Sequence, residues 1–335
     1  MELLEPYKEL EQKFAEFTGS KYAVSCSTGT AALHLALLAA GVGPGDEVIV
    51  PDFTMAAVAF AVSYTGAKPV FVDVELENYG MSPDEFKKNI TKNTKAVIVV
   101  HTYGRLARIN NIIKIAKEHQ IKVIEDAAEA HGAVFRSNAD MTCYSFYKNK
   151  IVAGEEGGAV TTNKKSYANI INDLKNMAFG KKHDFYHKRI GYNYRLSNVH
   201  ASLILASLAC YTENLQARRF REVQYTKIFN PIAINTHHAA PWFYEQLIPK
   251  ILKQEALDIY PEARDSFKPL SSFPMYKKKS TNVNAKLLAK HMILLPLDQS
   301  ADFEKARKLM NNISIKLNLM DYLKGDVEHA KTIHT

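Results

Sequence analysis

Two lysines lie one residue apart in Ser145-Phe146-Tyr147-Lys148-Asn149-Lys150, just ahead of a glycine-rich stretch at Gly154, Gly157 and Gly158. A lysine amine becomes a nucleophile when its surroundings lower its pKa, and an apolar strand running into a glycine turn supplies the desolvation. The chemistry is then Schiff-base formation with a carbonyl. Read alone, a solvated surface lysine is the simpler account of each. Ser145-x-x-Lys148 also has the spacing of serine β-lactamases, but the Ser-Asp-Asn and Lys-Thr-Gly elements that accompany it there are absent.

Two other stations carry chemistry. Ser25-Cys26-Ser27-Thr28-Gly29-Thr30 runs into an apolar helix, Ala31 to Ala40, which sets hydroxyls and free backbone N–H groups at a helix N-terminus. Such a terminus receives anions, though a plain Ser/Thr cap would read the same. It matches neither Gly-x-Gly-x-x-Gly nor a Gly-Lys-Ser/Thr loop. Val123-Ile124-Glu125-Asp126-Ala127-Ala128-Glu129 places acids where a buried strand ends. A carboxylate there needs a cation, from the protein or from a ligand such as a protonated ring nitrogen, unless Asp126 simply caps a helix.

The elements that must position these stations alternate. Glu47–Val50, Pro69–Val74, Ala96–His101 and Lys122–Glu125 read as strands, while Thr30–Ala40, Met55–Tyr64, Ser82–Asn89 and Asn110–His119 read as helices. Alternation predicts an α/β domain with a parallel sheet covered on both faces. A long connector helix is predicted from a Ser197/Asn198 cap to about Arg219, then a strand over Trp242–Ile248 and a helix over Asp302–Leu317. The division expected is a large domain, 1–211, and a smaller C-terminal α+β domain, 212–335.

Composition excludes several classes. Of 335 residues 47% are hydrophobic, enough for a sizeable core, yet no apolar run approaches the ~18 residues of a membrane span. Glu2, Glu5, Lys8 and Glu9 are wrong for a signal peptide, so a cytoplasmic location is expected. Cys26, Cys143 and Cys210 lie far apart and read as buried thiols, with neither a disulfide framework nor a metal site. The net charge of +8 is scattered; Lys181-Lys182 and Lys277-Lys278-Lys279 read as solvated faces, and no nucleic-acid-binding module is present. An anionic small substrate fits the charge.

Taken together and in order, the stations resemble a known family. Gly29-Thr30 with Leu33-His-Leu-Ala-Leu37, Gly43-x-Gly-Asp-Glu-Val-Ile-Val-Pro51, His101-x-Tyr-Gly104, Ile124-Glu-Asp-Ala-Ala-Glu129, Ser145-Phe-x-x-Asn-Lys150 and Gly191-Tyr-Asn-Tyr-Arg195 are similar to the DegT-type sugar nucleotide aminotransferases. The resemblance is nearly continuous from Pro6 to Cys210 and thins to Trp242 and Arg264–Tyr276 thereafter. It implies an aspartate aminotransferase-like fold and pyridoxal 5'-phosphate as cofactor. Carried over by position, it makes Lys150 the Schiff-base lysine and Asp126 the partner of the pyridine nitrogen. It gives Gly29, Thr30 and Ser145 to the phosphate, Glu129 to the ring oxygen, and Met55 to the ring face usually covered by an aromatic. Asn193 matches a residue that reaches the neighbouring subunit's phosphate, which implies a homodimer with shared active sites.

Within the family the stretch from His187 to Asn198 looks nearest to perosamine and viosamine synthases, which aminate a nucleotide-linked 4-keto-6-deoxyhexose with L-glutamate. Arg105, His187 and Arg195 are candidates for diphosphate or sugar, with salt bridging as the alternative for the arginines. Several positions depart from the pattern. Most of the segment that precedes Glu9 in relatives is missing, and the Phe135–Met141 stretch is short. Glu155 interrupts the usual Thr-Thr-Gly-Glu-Gly, and Ser271 replaces a common histidine. Sugar dehydration with the same cofactor is a second reading, countered by Lys150, because that branch carries histidine there. A non-catalytic binding protein on this fold is a third.

Overall fold

The computed structural model describes residues 5–179, 185–229, 239–276 and 281–332, with side chains described to residue 317. The Lys181-Lys182 and Lys277–Lys279 runs lie outside the described residues. The first described element is α1 (Pro6–Thr18), which has proline in its first turn and ends on Gly19 in the left-handed region. There follow β1 (Tyr22–Cys26), α2 (Gly29–Ala39), β2 (Glu47–Pro51), α3 (Ala57–Tyr64), β3 (Lys68–Val72), α4 (Pro83–Lys88), β4 (Thr94–Val100), α5 (Ile109–Glu118), β5 (Lys122–Asp126), β6 (Met141–Ser145), β7 (Gly158–Thr162) and α6 (Lys165–Lys175).

These strands form one sheet in the order β1-β7-β6-β5-β4-β2-β3. From β3 to β6 neighbours are parallel, as the alternation predicts, and β7 runs antiparallel to both β6 and β1. The direction reverses because the chain between Ser145 and Gly158 is a loop and not a crossover helix. Helix α2 lies almost wholly in the core, so its hydrophobic residues run all round it and carry no stripe. Its N-terminus is thereby fixed against the sheet.

The predicted connector is two helices, α7 (Asn198–Ala209) and α8 (Tyr211–Phe229), broken at Cys210. Ser197 caps the first, accepting from His200 N at 3.2 Å. Cys26 and Cys143 are buried, but Cys210 is exposed at the break, which corrects the expectation of three buried thiols. Beyond it, β8 (Phe243–Leu247), α9 (Lys253–Ile259), β9 (Arg264–Asp265), α10 (Val283–His291), β10 (Met292–Pro296) and α11 (Phe303–Thr332) build a three-stranded antiparallel sheet, β8-β10-β9, over its own core of Tyr225, Tyr244, Leu295 and Leu309. No helix among the described residues is long and apolar enough to cross a membrane.

Three seams join the second sheet to the first. Gly104, at φ +86°, comes so close to Ala240 that a Cβ would stand 1.7 Å from its carbonyl oxygen, so only glycine fits. Buried Asp52 accepts from Ser271 N and Oγ, both at 2.7 Å, and from Asn282 Nδ2 at 2.8 Å. Ser271, the departure from histidine, thus anchors the end of β2. Arg105 donates to Glu245 of β8 at 3.0 Å and lies over the Tyr79 ring at 4.8 Å.

Candidate active site

Sheet topology decides which residues meet. The ends of β4, β5 and β6 and the N-terminus of α2 converge on a cavity of ≈ 500 Å³, closed on the other side by Trp242, Phe243, Arg264 and Phe267. Gly29, Thr30, Met55, Asp126, Glu129, Ser145 and Lys150 all line it. A larger cleft of ≈ 900 Å³ opens beside β3, but its lining has no buried amine; Lys68 there is exposed and paired with Glu47.

The loop after β6 separates the two lysines. Lys148 is exposed over the Tyr147 ring, and its N–H bonds Glu155 O at 3.1 Å. That placement removes the Ser-x-x-Lys reading. Lys150 turns inward, its side chain 9% exposed, with Nζ 3.6 Å from Glu129 Oε1. Burial pushes the Lys150 amine below the usual lysine range, against the raising influence of Glu129 and Asp126. The loop is pinned from below: Val152 N donates to His131 Nδ1 at 3.1 Å and Ala153 N to Ser207 Oγ at 2.9 Å.

Glu155 sits in that loop at φ +64°, a conformation suited to glycine. Glu155→Gly is expected to stabilise the protein by about 1 kcal/mol, the left-handed penalty less the added freedom of the unfolded chain. Thermal unfolding would detect this; a lower midpoint would refute it.

The carboxylates end β5. Asp126 is buried and accepts from Ala128 N at 3.0 Å. Burial raises its pKa, with the Ala128 N–H and the Lys150 charge opposing. Glu129 Oε2 accepts from Tyr103 N at 2.8 Å, and burial pushes its carboxyl up to about 7. One layer behind, His101 Nδ1 accepts from Ala107 N at 3.1 Å, so Nε2 carries the proton and donates to Glu125 at 2.8 Å. Thr142 also donates to Glu125, at 2.9 Å, and the strand end is rigid in consequence.

At the opposite wall Thr28 caps α2, its side chain accepting from Ala31 N at 3.0 Å. A Cβ on Gly29 would lie 2.7 Å from Ser145 Cβ, so glycine lets the helix terminus and the end of β6 share one cradle. Backbone N–H groups and a hydroxyl gathered there suit a phosphate.

The comparisons with known proteins agree with this geometry. The DegT/DnrJ/EryC1/StrS aminotransferase family matches residues 5–314. The chain belongs to that family. It is a pyridoxal phosphate-dependent aminotransferase. The GDP-perosamine synthase of Caulobacter vibrioides is 36% identical, over 82% of this chain and 79% of that protein. The UDP-2-acetamido-2-deoxy-3-oxo-D-glucuronate aminotransferase of Pseudomonas aeruginosa is 37% identical over 68% of this chain and 65% of that one. Among solved structures, a family aminotransferase from Brucella abortus is 27% identical, with a TM-score of 0.81 over 92% of this chain and 90% of its own.

The cavity fits the family's cofactor on its own chemistry. Asp126 is a buried carboxylate whose side-chain hydrogen bonding among the described residues is one backbone N–H, which leaves room for a protonated ring nitrogen as counter-charge. The cradle at Gly29 and Ser145 suits the phosphate, and the Lys150 amine the aldehyde.

Other expected residues lie elsewhere. Arg105 does not line the cavity; its guanidinium is buried and neutralised by Glu245, so the salt-bridge alternative, not substrate contact, describes its place. His187 is exposed, with Nδ1 2.8 Å from Met177 O, and Arg195 is exposed and donates to Asn176 Oδ1 at 3.0 Å. Asn193 is exposed on the same segment, bridged to Asn176. Sequence reasoning missed Arg264, which lies over the Phe243 ring at 5.4 Å, and gave Trp242 no role. Trp242 and the Arg264 stretch were visible as sparse family matches; nothing local in the sequence marked them as cavity walls.

Proposed function

We propose that the protein transfers the amino group of L-glutamate to a nucleotide-linked 4-keto-6-deoxyhexose, giving a 4-amino-4,6-dideoxy sugar nucleotide of the perosamine or viosamine type. The observation that carries the aminotransferase part is the buried Lys150 amine between Glu129 and Asp126, in a cavity that ends on the α2 N-terminus. The 4-keto position is supported by identity to GDP-perosamine synthases over most of their length.

In this reading Lys150 binds the cofactor, and its amine, once displaced, takes the proton from the α-carbon of glutamate and later returns one to the sugar carbon. Desolvation lowers the pKa of that amine, which eases loss of its proton. Pyridoxal phosphate supplies an electron sink for the pair left by the departing proton. Asp126 holds the proton on the ring nitrogen, Glu129 meets the ring oxygen, and Met55 covers a ring face. Gly29, Thr30 and Ser145 hold the phosphate. Trp242, Phe243 and Phe267 exclude water. Arg264, which lines the cavity beside the Phe243 ring, is a cation placed to meet an anionic substrate.

The protein is read as a cytoplasmic homodimer with a cofactor-binding domain, 1–211, and a smaller domain, 212–335. Asn193 lies outside its own chain's cavity, on an exposed segment shared with apolar Tyr186, Ile190 and Val199, as a residue donated to a neighbouring subunit would. His187 and Arg195 would reach the neighbour's sugar nucleotide from the same segment.

A second reading, amination at C3, is favoured by relatives whose names place the amino group there. Incubating the purified holoenzyme and glutamate with GDP-, UDP- and dTDP-linked 3-keto and 4-keto sugars separates the two. Product with nitrogen at C4, located by NMR, is expected. Turnover of 3-keto substrates alone would transfer the assignment to C3, and failure of glutamate to discharge the cofactor's colour would remove glutamate as the amino donor.

A further inference from the structure

Trp242 is the chain's single tryptophan, and it is tied to the peptide that leads into Lys150. Its indole N–H donates to Asn149 O at 3.0 Å. Arg218 of α8 donates to the same carbonyl through Nη2 at 2.9 Å and to Trp242 O through Nη1 at 3.0 Å. This closed set of hydrogen bonds fixes the indole relative to residue 149. Tyr103 stacks on it at 6.2 Å and Phe243 meets it at 4.5 Å, so the ring has no freedom to turn. Against the held ring lies Lys150 Nζ, 3.7 Å from its centroid.

An aromatic face attracts an ammonium, more strongly when water is excluded, and Trp242 is 8% exposed. The titratable and charged groups facing this amine are Asp126 at the end of β5 and Glu129 just beyond it, which attract it, the buried imidazole of His131, and Arg218, which repels it. In the proposed function both carboxylates serve the cofactor. The indole face can hold the ammonium without competing for those hydrogen bonds.

We propose that Trp242 is a positioning residue whose indole face holds the Lys150 amine whenever that amine is not bonded to the cofactor. This rests on Lys150 being the cofactor lysine. It also makes the tryptophan an optical reporter of the lysine's charge.

The emission of the full-length protein, stripped of cofactor, is expected to show a pH step that is absent in Lys150→Met. In the holoenzyme, Trp242→Leu is expected to slow the glutamate half-reaction about tenfold with KM for glutamate within about twofold, and Trp242→Phe to recover part of the loss. The limb of the pH–rate profile set by Lys150 should move to lower pH in Trp242→Leu, because the ammonium loses a stabilising neighbour. Identical emission titrations in wild type and Lys150→Met would overturn the proposal, as would a Trp242→Leu enzyme with wild-type rate or an effect confined to KM. If Trp242→Leu does not fold, the emission comparison alone decides. Retained cofactor colour in Lys150→Met is a different result: it would sink the lysine assignment itself.

Discussion

Alanine at Lys150 is expected to lower transamination by about 10³-fold or more, because one side chain supplies both the covalent attachment and the proton transfer. The purified variant should also lack the yellow absorbance of lysine-bound cofactor. Geometry makes the prediction specific to one of two neighbouring lysines. Lys148 is exposed over Tyr147, whereas Lys150 is desolvated beside Glu129. Lys148→Ala should therefore retain colour and most of the rate. Borohydride reduction followed by peptide mapping offers a check that needs no variant: label on Lys148 would show that the loop register is misassigned.

The sequence was most legible where the local pattern and the tertiary role coincide. β5 reads as a buried strand ending in acids, and Asp126 and Glu129 stand at that end in the structure. Thr28-Gly29-Thr30 before an apolar run reads as a capped helix start, and Thr28 is the cap. The division of labour between Lys148 and Lys150 was legible only through resemblance, since alternation along a loop carries no inside or outside. Arg105 shows the opposite failure. A basic residue in a family motif suggested an anion, but its partner, Glu245, lies on a strand of the second sheet that no local pattern could pair with it. The same distance in sequence hid the seam at Asp52 with Ser271 and Asn282, and the clasp of Arg218, Asn149 and Trp242. The cavity's far wall is made of long-range contacts, and such contacts leave little periodic trace.

Asp126→Asn is expected to slow the glutamate half-reaction by about 10²–10³-fold, the scale on which a single preorganised electrostatic partner acts. An amide can still accept from Ala128 N–H, so the backbone turn after β5 keeps its bond. What is lost is the negative charge that holds a proton on the ring nitrogen, and with it the electron withdrawal on which α-proton removal depends. Stability should respond in the opposite direction. Burial raises the Asp126 pKa, so without cofactor its ionisation is a cost to the folded state that accrues as pH rises from the ordinary aspartate range to the raised value and is full above it. Replacing it with a neutral amide removes that cost, and the cofactor-free variant should unfold at the same temperature as wild type or higher at pH above neutrality. Cofactor should reverse the order, because pyridoxal phosphate binds the folded state and gains more from aspartate than from asparagine. A merely structural Asp126 would give the contrary pattern, a less stable cofactor-free variant with a near-normal half-reaction. Stopped-flow absorbance with glutamate, alongside thermal unfolding with and without cofactor, distinguishes the two.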